Sequence, residues 1–239
     1  MPGNTTLRSA ALLLMFALGC RAFTLKPMSV TLEPQGFGAA KVLYLENESS
    51  NRVAFQVSMV TRDMNAEGGE TLEPVTNLFS LFPPQGMIAP GEKQSVRLAW
   101  RGPAEPTNEL CYRIIAEELP VSFTPEAGKA QIKILLRYQG TVYIRPKNAK
   151  PDLKVQSFTK TTTNLWRLTV LNAGTAHKNL INPTLTLIDT AGQKTQIPAS
   201  QLPAMEGENI LPAHTRNFLI DLPLDLKEQA YQVELTVDE

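Results

Sequence analysis

The chain has little cysteine, little histidine and no excess of charge of either sign. Its 239 residues include 23 basic and 23 acidic side chains, so the formal net charge is zero. This balance gives no electrostatic basis for binding nucleic acid or an anionic membrane surface. The cysteines are Cys20 and Cys111, and Cys20 lies in a segment that we predict to be removed. A single mature cysteine cannot form an internal disulfide, so stability must come from packing.

Recognisable catalytic and metal-binding motifs are also missing from the sequence. It contains no Gly-rich phosphate loop, no G-x-S-x-G motif and no Cys or His pair at metal-ligand spacing. Cys111 lies between Leu110 and Tyr112, which favours a buried, inert thiol, and His177 and His214 occur in turn-like contexts. We predict no catalytic residue, no cofactor and no metal, and therefore a binding module rather than an enzyme.

The first 22 residues have the layout of a secretory signal peptide. Arg8 precedes the apolar run Ala11–Leu18, and small residues lie near Ala22. The run is too short to cross a bilayer as a helix. We predict cleavage after Ala22 and an exported protein without membrane insertion. Cleavage before Cys20, followed by lipid attachment, is the alternative.

Almost every apolar run after residue 23 has the character of a β-strand. The runs are short, rich in β-branched and aromatic residues, and separated by Gly, Pro, Asn and Ser. We predict a loop at NAEGGE and either a hairpin or a crossover around Asn47–Asn51. The segment VTNLFSLFP is the one place where a short helical turn is an alternative. Six or seven antiparallel strands at this spacing predict an immunoglobulin-type sandwich. In the first half the runs are FTLKPMSVTLEP, AKVLYLENES, RVAFQVSMVTRD, KQSVRLAWRG and NELCYRIIAEELP.

The strand pattern is interrupted at Arg145–Asp152, which contains two prolines and two lysines. Such a composition is typical of a short, stiff linker. We therefore predict an N-terminal domain over 23–146, a linker over 147–152 and a C-terminal domain over 153–239. The predicted fold is all-β, with two immunoglobulin-like β-sandwich domains. Strands of the second domain are expected in LKVQSFTK, LWRLTVLNAG, NPTLTLIDTAG, TQIPASQL, RNFLIDLPL and AYQVELTVD, with a hairpin turn at DTAGQK.

The segment Lys129–Pro146, KAQIKILLRYQGTVYIRP, is predicted as one strand about three times the usual length of ~5–6 residues. Alternate residues along a strand share a face. Apolar side chains therefore line one face of its first half, at Ile132, Ile134, Leu136 and Tyr138. The residues alone leave two alternatives open: these side chains pack in the core of this chain, or they extend beyond it and are exposed.

Three segments together resemble the periplasmic pilus chaperones of the chaperone–usher pathway, the PapD-like family. They are PMSVTLEPQG, PPQGMIAPGEKQSVRLAW and the pair NELCYRIIAEELP with KAQIKILLRYQGTVYIRP. The resemblance covers nearly the whole mature chain. It implies two sandwiches set at an angle, a periplasmic location, and pilus subunits and an outer-membrane usher as partners. The uncharged Ser29 and Thr141, at positions where the family usually has basic residues, point to its divergent, archaic branch.

In this family the chaperone lends its long strand to a subunit whose immunoglobulin-like fold lacks a strand, a form of β-augmentation. Carried over, the donor residues are Ile132, Ile134 and Leu136, with Tyr138 next on the same face. Each fully buried apolar side chain contributes roughly 1.5–3 kcal/mol. The resemblance also implies that the free protein could cap its own open edge as an oligomer.

The family binds the subunit's C-terminal carboxylate through two basic residues at the base of the cleft. The segments SVTL and TVYIRP place Ser29 and Thr141 at these positions, and neither side chain carries a charge. Arg113, followed by Lys133 and Arg137, are the candidates for a displaced anchor, since arginine binds carboxylates in a bidentate manner. A solvated arginine on the strand face is the alternative for Arg113.

Glu109 and Arg145 match an ion pair that the family has near its domain junction, where it sets the interdomain angle more than it stabilises the fold. The alternative function is an exported two-domain β-sandwich of structural or adhesive type in a surface fibre. A fibre subunit would instead have one domain, an N-terminal donor extension and usually a pair of cysteines. The second domain and the Glu109–Arg145 match therefore favour the chaperone.

Overall fold

The computed structural model describes residues 23–120, 134–162, 164–222 and 230–238. Within these residues the chain is built of β-strands, with short 3-10 turns at Phe37–Ala39 and Ala199–Gln201 and no α-helix. Two separate hydrophobic cores form, one on each side of the segment that links Ile144 to Leu153. This confirms the all-β class and the two sandwich domains. The exact domain boundaries and the signal peptide, which lies outside the described residues, stay predictions.

The strands of the first domain are β1 Phe23–Lys26, β2 Ser29–Leu32, β3 Ala40–Asn47, β4 Val53–Thr61, β5 Asp63–Met64, β6 Glu70–Thr71, β7 Phe79–Phe82, β8 Gln85–Ile88, β9 Lys93–Trp100, β10 Leu110–Glu118 and β11 Arg137–Ile144. A four-stranded sheet, in the order β1-β3-β9-β7, packs against a five-stranded sheet, in the order β2-β11-β10-β4-β8. Pairing is antiparallel except between β2 and β11, which run parallel.

Alternating apolar residues explain why these two sheets face each other. Each strand presents one face to a shared interior, and the other face is left to solvent or to the second domain. The side chains buried between the sheets include Phe23, Leu43, Phe55, Leu98, Ile114 and Ile144.

The second domain is a smaller sandwich that follows the predicted runs closely. Its strands are β12 Leu153–Lys160, β13 Leu165–Asn172, β14 Lys178–Asn179, β15 Thr184–Ile188, β16 Lys194–Ile197, β17 Asn209–Ile210, β18 Thr215–Asp221 and β19 Gln232–Thr236. They form the sheets β12-β13-β18 and β16-β15-β19 and the short pair β14-β17. Trp166 is buried at the centre of the domain and stacks on Phe158 with ring centroids 4.6 Å apart. The DTAGQK turn joins β15 and β16 as a hairpin.

Two local alternatives in the first domain are resolved. Strands β3 and β4 belong to different sheets, so the chain around Asn47–Asn51 is a crossover and not a hairpin. The segment VTNLFSLFP contains strand β7, so a helical turn is the wrong interpretation. The reason is pairing, because Phe79–Phe82 lies beside β9 with Phe79 packed on the aromatic rings of Trp100 and Tyr112.

The long strand predicted over Lys129–Pro146 is only partly present. Strand β11 begins at Arg137, residues 134–136 are not in a strand, and residues 129–133 lie outside the described range. The prediction is wrong for 134–136 because the pairing partner runs out there. The last residue pair of β10 and β11 is Glu117 with Arg137. One further hydrogen bond, from Glu118 N to Leu136 O at 2.9 Å, continues the ladder.

Candidate functional site

Strand β11 has an open edge over half of its length. On one side it pairs with β10 from Arg137 to Ile144, and on the other it pairs with β2 only from Thr141 to Ile144. Among the described residues, no strand pairs with the second side of 137–140. Thr141 N donates to Met28 O on that side at 2.8 Å. Because backbone groups alternate along a strand, Arg137 and Gln139 direct their N–H and C=O groups to the open side.

The apolar face of this segment leaves the core as the chain approaches the start of β11. Tyr138 and Leu136 are half-buried and pack against the first core, and Tyr138 makes an edge contact with Phe23 at 6.0 Å. Ile134 is 76% exposed and Leu135 is 42% exposed. Ile132 lies outside the described residues. Core filling therefore explains Leu136 and Tyr138, but it does not explain Ile134.

Ser29, Thr141 and Arg113 form one row across neighbouring strands of the five-stranded sheet. Ser29 is the register partner of Thr141 on β2, and Arg113 is its partner on β10. The guanidinium of Arg113 donates a hydrogen bond to the hydroxyl of Thr141. The side chain of Arg113, from the adjacent strand, therefore contacts the position at which the resemblance expects a basic residue.

Arg113 is not a free cation, because Glu70 neutralises it. Arg113 Nε and Nη2 donate to the two carboxylate oxygens of Glu70 at 2.9 and 2.6 Å, and Arg62 Nε donates to Oε1 at 2.7 Å. Burial disfavours the charged form of Glu70, but the hydrogen bonds and charges of Arg113 and Arg62 outweigh it, so its pKa lies below the ordinary value. Arg62 is buried and also donates to the hydroxyl of Tyr143 at 3.2 Å.

The other two predicted anchors differ from Arg113 in position. Lys133 lies outside the described residues. Arg137 is on the same face of β11 as Thr141 but four residues away, roughly 13 Å along the strand. Its guanidinium is exposed and lies 3.8 Å from Glu117. The structure therefore brings Arg113, and not Arg137, to the row that contains Thr141.

The hairpin β5–β6 connects this cluster to the second domain. Glu70 lies on β6, and the turn before it docks on β18, where Asn217 N donates to Ala66 O at 2.7 Å. Asn217 Nδ2 also donates to Glu67 at 3.1 Å. Gly68 has φ 88°, and a Cβ at this position would lie 2.5 Å from Arg216 Nη2. Glycine suits this position, because it adopts the positive φ without strain and leaves room for the guanidinium of Arg216.

Glu109, Arg145 and His177 form a second interdomain contact. The buried carboxylate of Glu109 pairs with Arg145 and lies 2.5 Å from His177 Nδ1, while His177 N donates to it at 3.0 Å. The ring of His177 stacks on Tyr143 with centroids 3.7 Å apart. Burial disfavours ionisation of Glu109, but the interactions with His177 and then Arg145 prevail and lower its pKa.

The thiol of Cys111 lacks the lowered pKa of a reactive nucleophile. Burial, and then the nearby charge of Glu109, raise the pKa of Cys111 to about 12. No group of three or more potential metal ligands occurs within the residues that the structure describes. In the same residues, no helix is long and apolar enough to span a membrane.

Three residues of these clusters were not found from the sequence: Glu70, Arg62 and His177. Glu70 ends the segment NAEGGE, whose glycines are typical of a loop, and nothing local relates it to Arg113, 43 positions away. His177 lies 68 positions from Glu109. Only the fold brings these partners together, and no periodicity could have indicated them.

The fold and the open edge define a class of protein: a two-domain immunoglobulin-like protein with an incompletely paired strand, β11, in its first domain. The family model for the pili and flagellar-assembly chaperones, PapD N-terminal domain, matches residues 24–150, more than half of the chain. The chain therefore belongs to this family of pilus-assembly chaperones. A search of the curated proteins finds no match in sequence.

Solved structures of fimbrial chaperones share the fold over almost the entire chain. The CsuC–CsuE chaperone–tip subunit complex of archaic Csu pili from Acinetobacter baumannii matches with a TM-score of 0.59 at 18% identity, over 90% of this chain and 97% of that chain. The class 5 fimbriae chaperone CfaA matches with a TM-score of 0.58 at 14% identity, over 91% and 100%. The Salmonella enterica complex of SafA pilin with the SafB chaperone matches with a TM-score of 0.56 at 15% identity, over 90% and 96%.

Proposed function

We propose that this chain is a periplasmic chaperone that binds pilus subunits by donor-strand complementation and passes them to an outer-membrane usher. It caps the open sheet edge of a subunit that lacks one strand, without catalysis and without a cofactor. The predicted signal peptide supports export, and the archaic Csu system is the branch we favour. The partners of CsuC and SafB in their solved complexes, a tip subunit and a pilin, support subunits as the ligand class.

The observation that carries the proposal is the open edge of β11 beside the exposed Ile134. Within the described residues, the N–H and C=O groups of Arg137 and Gln139 have no strand beside them and form a template for an additional strand. An apolar side chain that is 76% exposed at the end of this edge has no role in the core of this chain. Burial of Ile134 in a subunit groove would contribute roughly 1.5–3 kcal/mol. Ile132, two residues earlier, is expected to extend the same row.

Arg113 is the anchor we propose for the subunit's C-terminal carboxylate. It lies at the row of Ser29 and Thr141, and its guanidinium can bind two oxygens at once. Glu109 and Arg145 of the first domain contact His177 of the second. The Glu109–Arg145 pair would set the domain orientation against which a subunit is bound.

The test is a pull-down of the tagged chain from the periplasm of its host under fibre-expressing conditions. Wild type is compared with Ile134→Asp and with Leu219→Asp, an equivalent change at a residue that is 48% exposed on β18. We expect wild type and Leu219→Asp to retain a small one-domain β protein and Ile134→Asp to lose it. Circular dichroism checks that each variant is folded.

If all three chains retain the same partner, Ile134 is not a donor residue and the donor-strand proposal fails. If a folded wild type retains no such partner, the structural or adhesive alternative takes its place.

A further inference from the structure

The three side chains Arg113, Arg62 and Gln139 surround one carboxylate, that of Glu70. Arg113 binds both of its oxygens, Arg62 Nε binds Oε1 at 2.7 Å, and Gln139 Nε2 lies 3.3 Å from Oε2. A planar guanidinium that binds two oxygens in parallel is the strong, geometrically specific form of carboxylate recognition. The cluster is thus a carboxylate-binding site, and its ligand in this structure is part of the chain itself.

This occupied site contains Arg113, the anchor proposed above for the C-terminal carboxylate of a subunit. Arg113 faces Thr141 across the ladder, and Thr141 faces Ser29. The two guanidinium groups carry two positive charges against the single charge of Glu70. One positive charge therefore remains to attract a second anion, although the bidentate donors of Arg113 are already engaged.

Glu70 is a strong competitor because the hairpin that carries it is held at both ends. At one end, β6 pairs with β5 through Met64 with Glu70. At the other, the turn is hydrogen-bonded to Asn217 of the second domain through Ala66 O and Glu67. A tethered ligand of this kind acts at an effective concentration in the millimolar range or above.

We propose that Glu70 is a built-in occupant of the anchor site, which the carboxylate of a bound chain must displace from Arg113. This inference rests on the proposed function only in assigning that carboxylate to the C-terminus of a pilus subunit. A small carboxylate that makes no other contact then binds weakly, because it must displace Glu70 without additional binding energy. A subunit that also pairs with the open edge of β11 has the additional free energy needed for displacement. Glu70 thereby restricts the site to ligands that engage strand and anchor together.

The experiment uses N-acetylglycine as the carboxylate probe and N-acetylglycinamide as its uncharged counterpart. Binding is followed by NMR through the Nε–Hε signals of Arg113 and Arg62 in the chain from Phe23 onward. Wild type is compared with Glu70→Gln and with the matched control Glu67→Gln, which removes the same charge from the same hairpin. Glu67 accepts a hydrogen bond from Asn217 and makes none with Arg113 or Arg62. The amide oxygen of a glutamine can accept the same hydrogen bond, so this control retains the tether of the hairpin.

We expect N-acetylglycine to bind Glu70→Gln with a Kd at least about tenfold lower than for wild type, since the tethered competitor is gone. Glu67→Gln should behave as wild type, and the amide probe should bind none of the chains. Addition of Arg113→Gln to Glu70→Gln should abolish the gain. Should Glu70→Gln fail to fold, Glu70→Asp keeps the charge on a shorter side chain and should give a smaller gain.

Equal affinity of wild type and a folded Glu70→Gln for the probe would overturn the inference, and so would an absence of binding to both. These outcomes are separate from the fate of the proposed function, because the titration needs no subunit. If wild type captures subunits but removal of Glu70 does not strengthen binding of the probe, the donor-strand proposal stands and the proposal that Glu70 is displaced fails. If the titration succeeds but no subunit is captured, Glu70 occupies a carboxylate-binding site and the proposed chaperone function fails.

Discussion

Arg113 and Thr141 lie directly opposite each other on β10 and β11, and the guanidinium donates a hydrogen bond to the threonine hydroxyl. The guanidinium of Arg113 thus contacts Thr141, the position on β11 at which the resemblance expects a basic residue. The side chain of Arg113 is nevertheless held by Glu70, so the charge is present but already engaged. We propose that this relationship lets a chain with Ser29 and Thr141 at the two usual positions offer a carboxylate anchor at Arg113.

Substitutions of the apolar residues just before β11 should separate stability from binding. Leu136→Ala removes a half-buried side chain from the first core, and we expect a loss of about 1–2 kcal/mol in the free energy of unfolding, less than at a fully buried leucine. Ile134→Ala should change stability by less than about 0.5 kcal/mol, because the side chain is 76% exposed. Urea unfolding of the free chain measures both. A loss at Ile134 as large as at Leu136 would place Ile134 in the core.

The stability of the chain should fall on acidification, in part through Glu109. Its pKa is lowered from 4.5 in the folded state. Its stabilising contribution is therefore complete above the unfolded pKa and is lost as the pH falls through the folded pKa. Glu109→Gln should cost about 1–3 kcal/mol at pH 7, because buried partners are left poorly satisfied.

The same substitution should also flatten the decline in stability below pH 4.5. Part of that decline will remain, because the pKa of Glu70 is lowered as well. Urea titrations of wild type and Glu109→Gln between pH 3 and 7 check this. Parallel pH profiles for the two chains would mean that Glu109 is not linked to folding in this way.

Cys111 should be inert towards thiol reagents in the folded chain. With a pKa of about 12, only about one thiol in ten thousand is ionised at pH 8, and the thiolate is the reactive form. We expect Ellman's reagent to label the folded chain from Phe23 onward over hours and the urea-unfolded chain within minutes. Rapid labelling without urea would show that Cys111 is accessible and ionised.

Gly68 should tolerate alanine less well than a glycine with similar backbone geometry. Gly192 has φ 81° and nothing within 4 Å of an added Cβ, whereas Gly68 has φ 88° and faces Arg216. Gly192→Ala should cost about 1 kcal/mol from backbone strain alone. Gly68→Ala should cost about 1 kcal/mol more, because Arg216 must move from its buried position. Equal losses of stability in urea would show that the hairpin does not depend on this interdomain contact.

The strands were predictable wherever short-range alternation determines them. The run LKVQSFTK has the same bounds as β12, and the run DTAGQK forms the predicted turn after β15. The extent of β11 could not be predicted, because it depends on where β10 ends at Glu118 and not on its own residues. Arg113 as the carboxylate anchor stays a prediction, and nothing in the sequence indicated its partner Glu70.

Charge pairs between distant residues depend on how the sheets fold, and no local pattern encodes them. The loop residues that carry Glu70 also contact the second domain. A prediction of separate sandwiches could not include such an interdomain contact.

Hydrogen exchange at the open edge of β11 tests the central claim most directly. In the free chain, the amides of Arg137 and Gln139 point away from β10 and should exchange much faster than those of Tyr138 and Gly140. In a complex with a captured pilus subunit, the amides of Arg137 and Gln139 should become as protected as their neighbours, because the subunit supplies the missing strand. If both amides keep their rapid exchange in a stable complex, the subunit binds elsewhere and donor-strand complementation by β11 is contradicted.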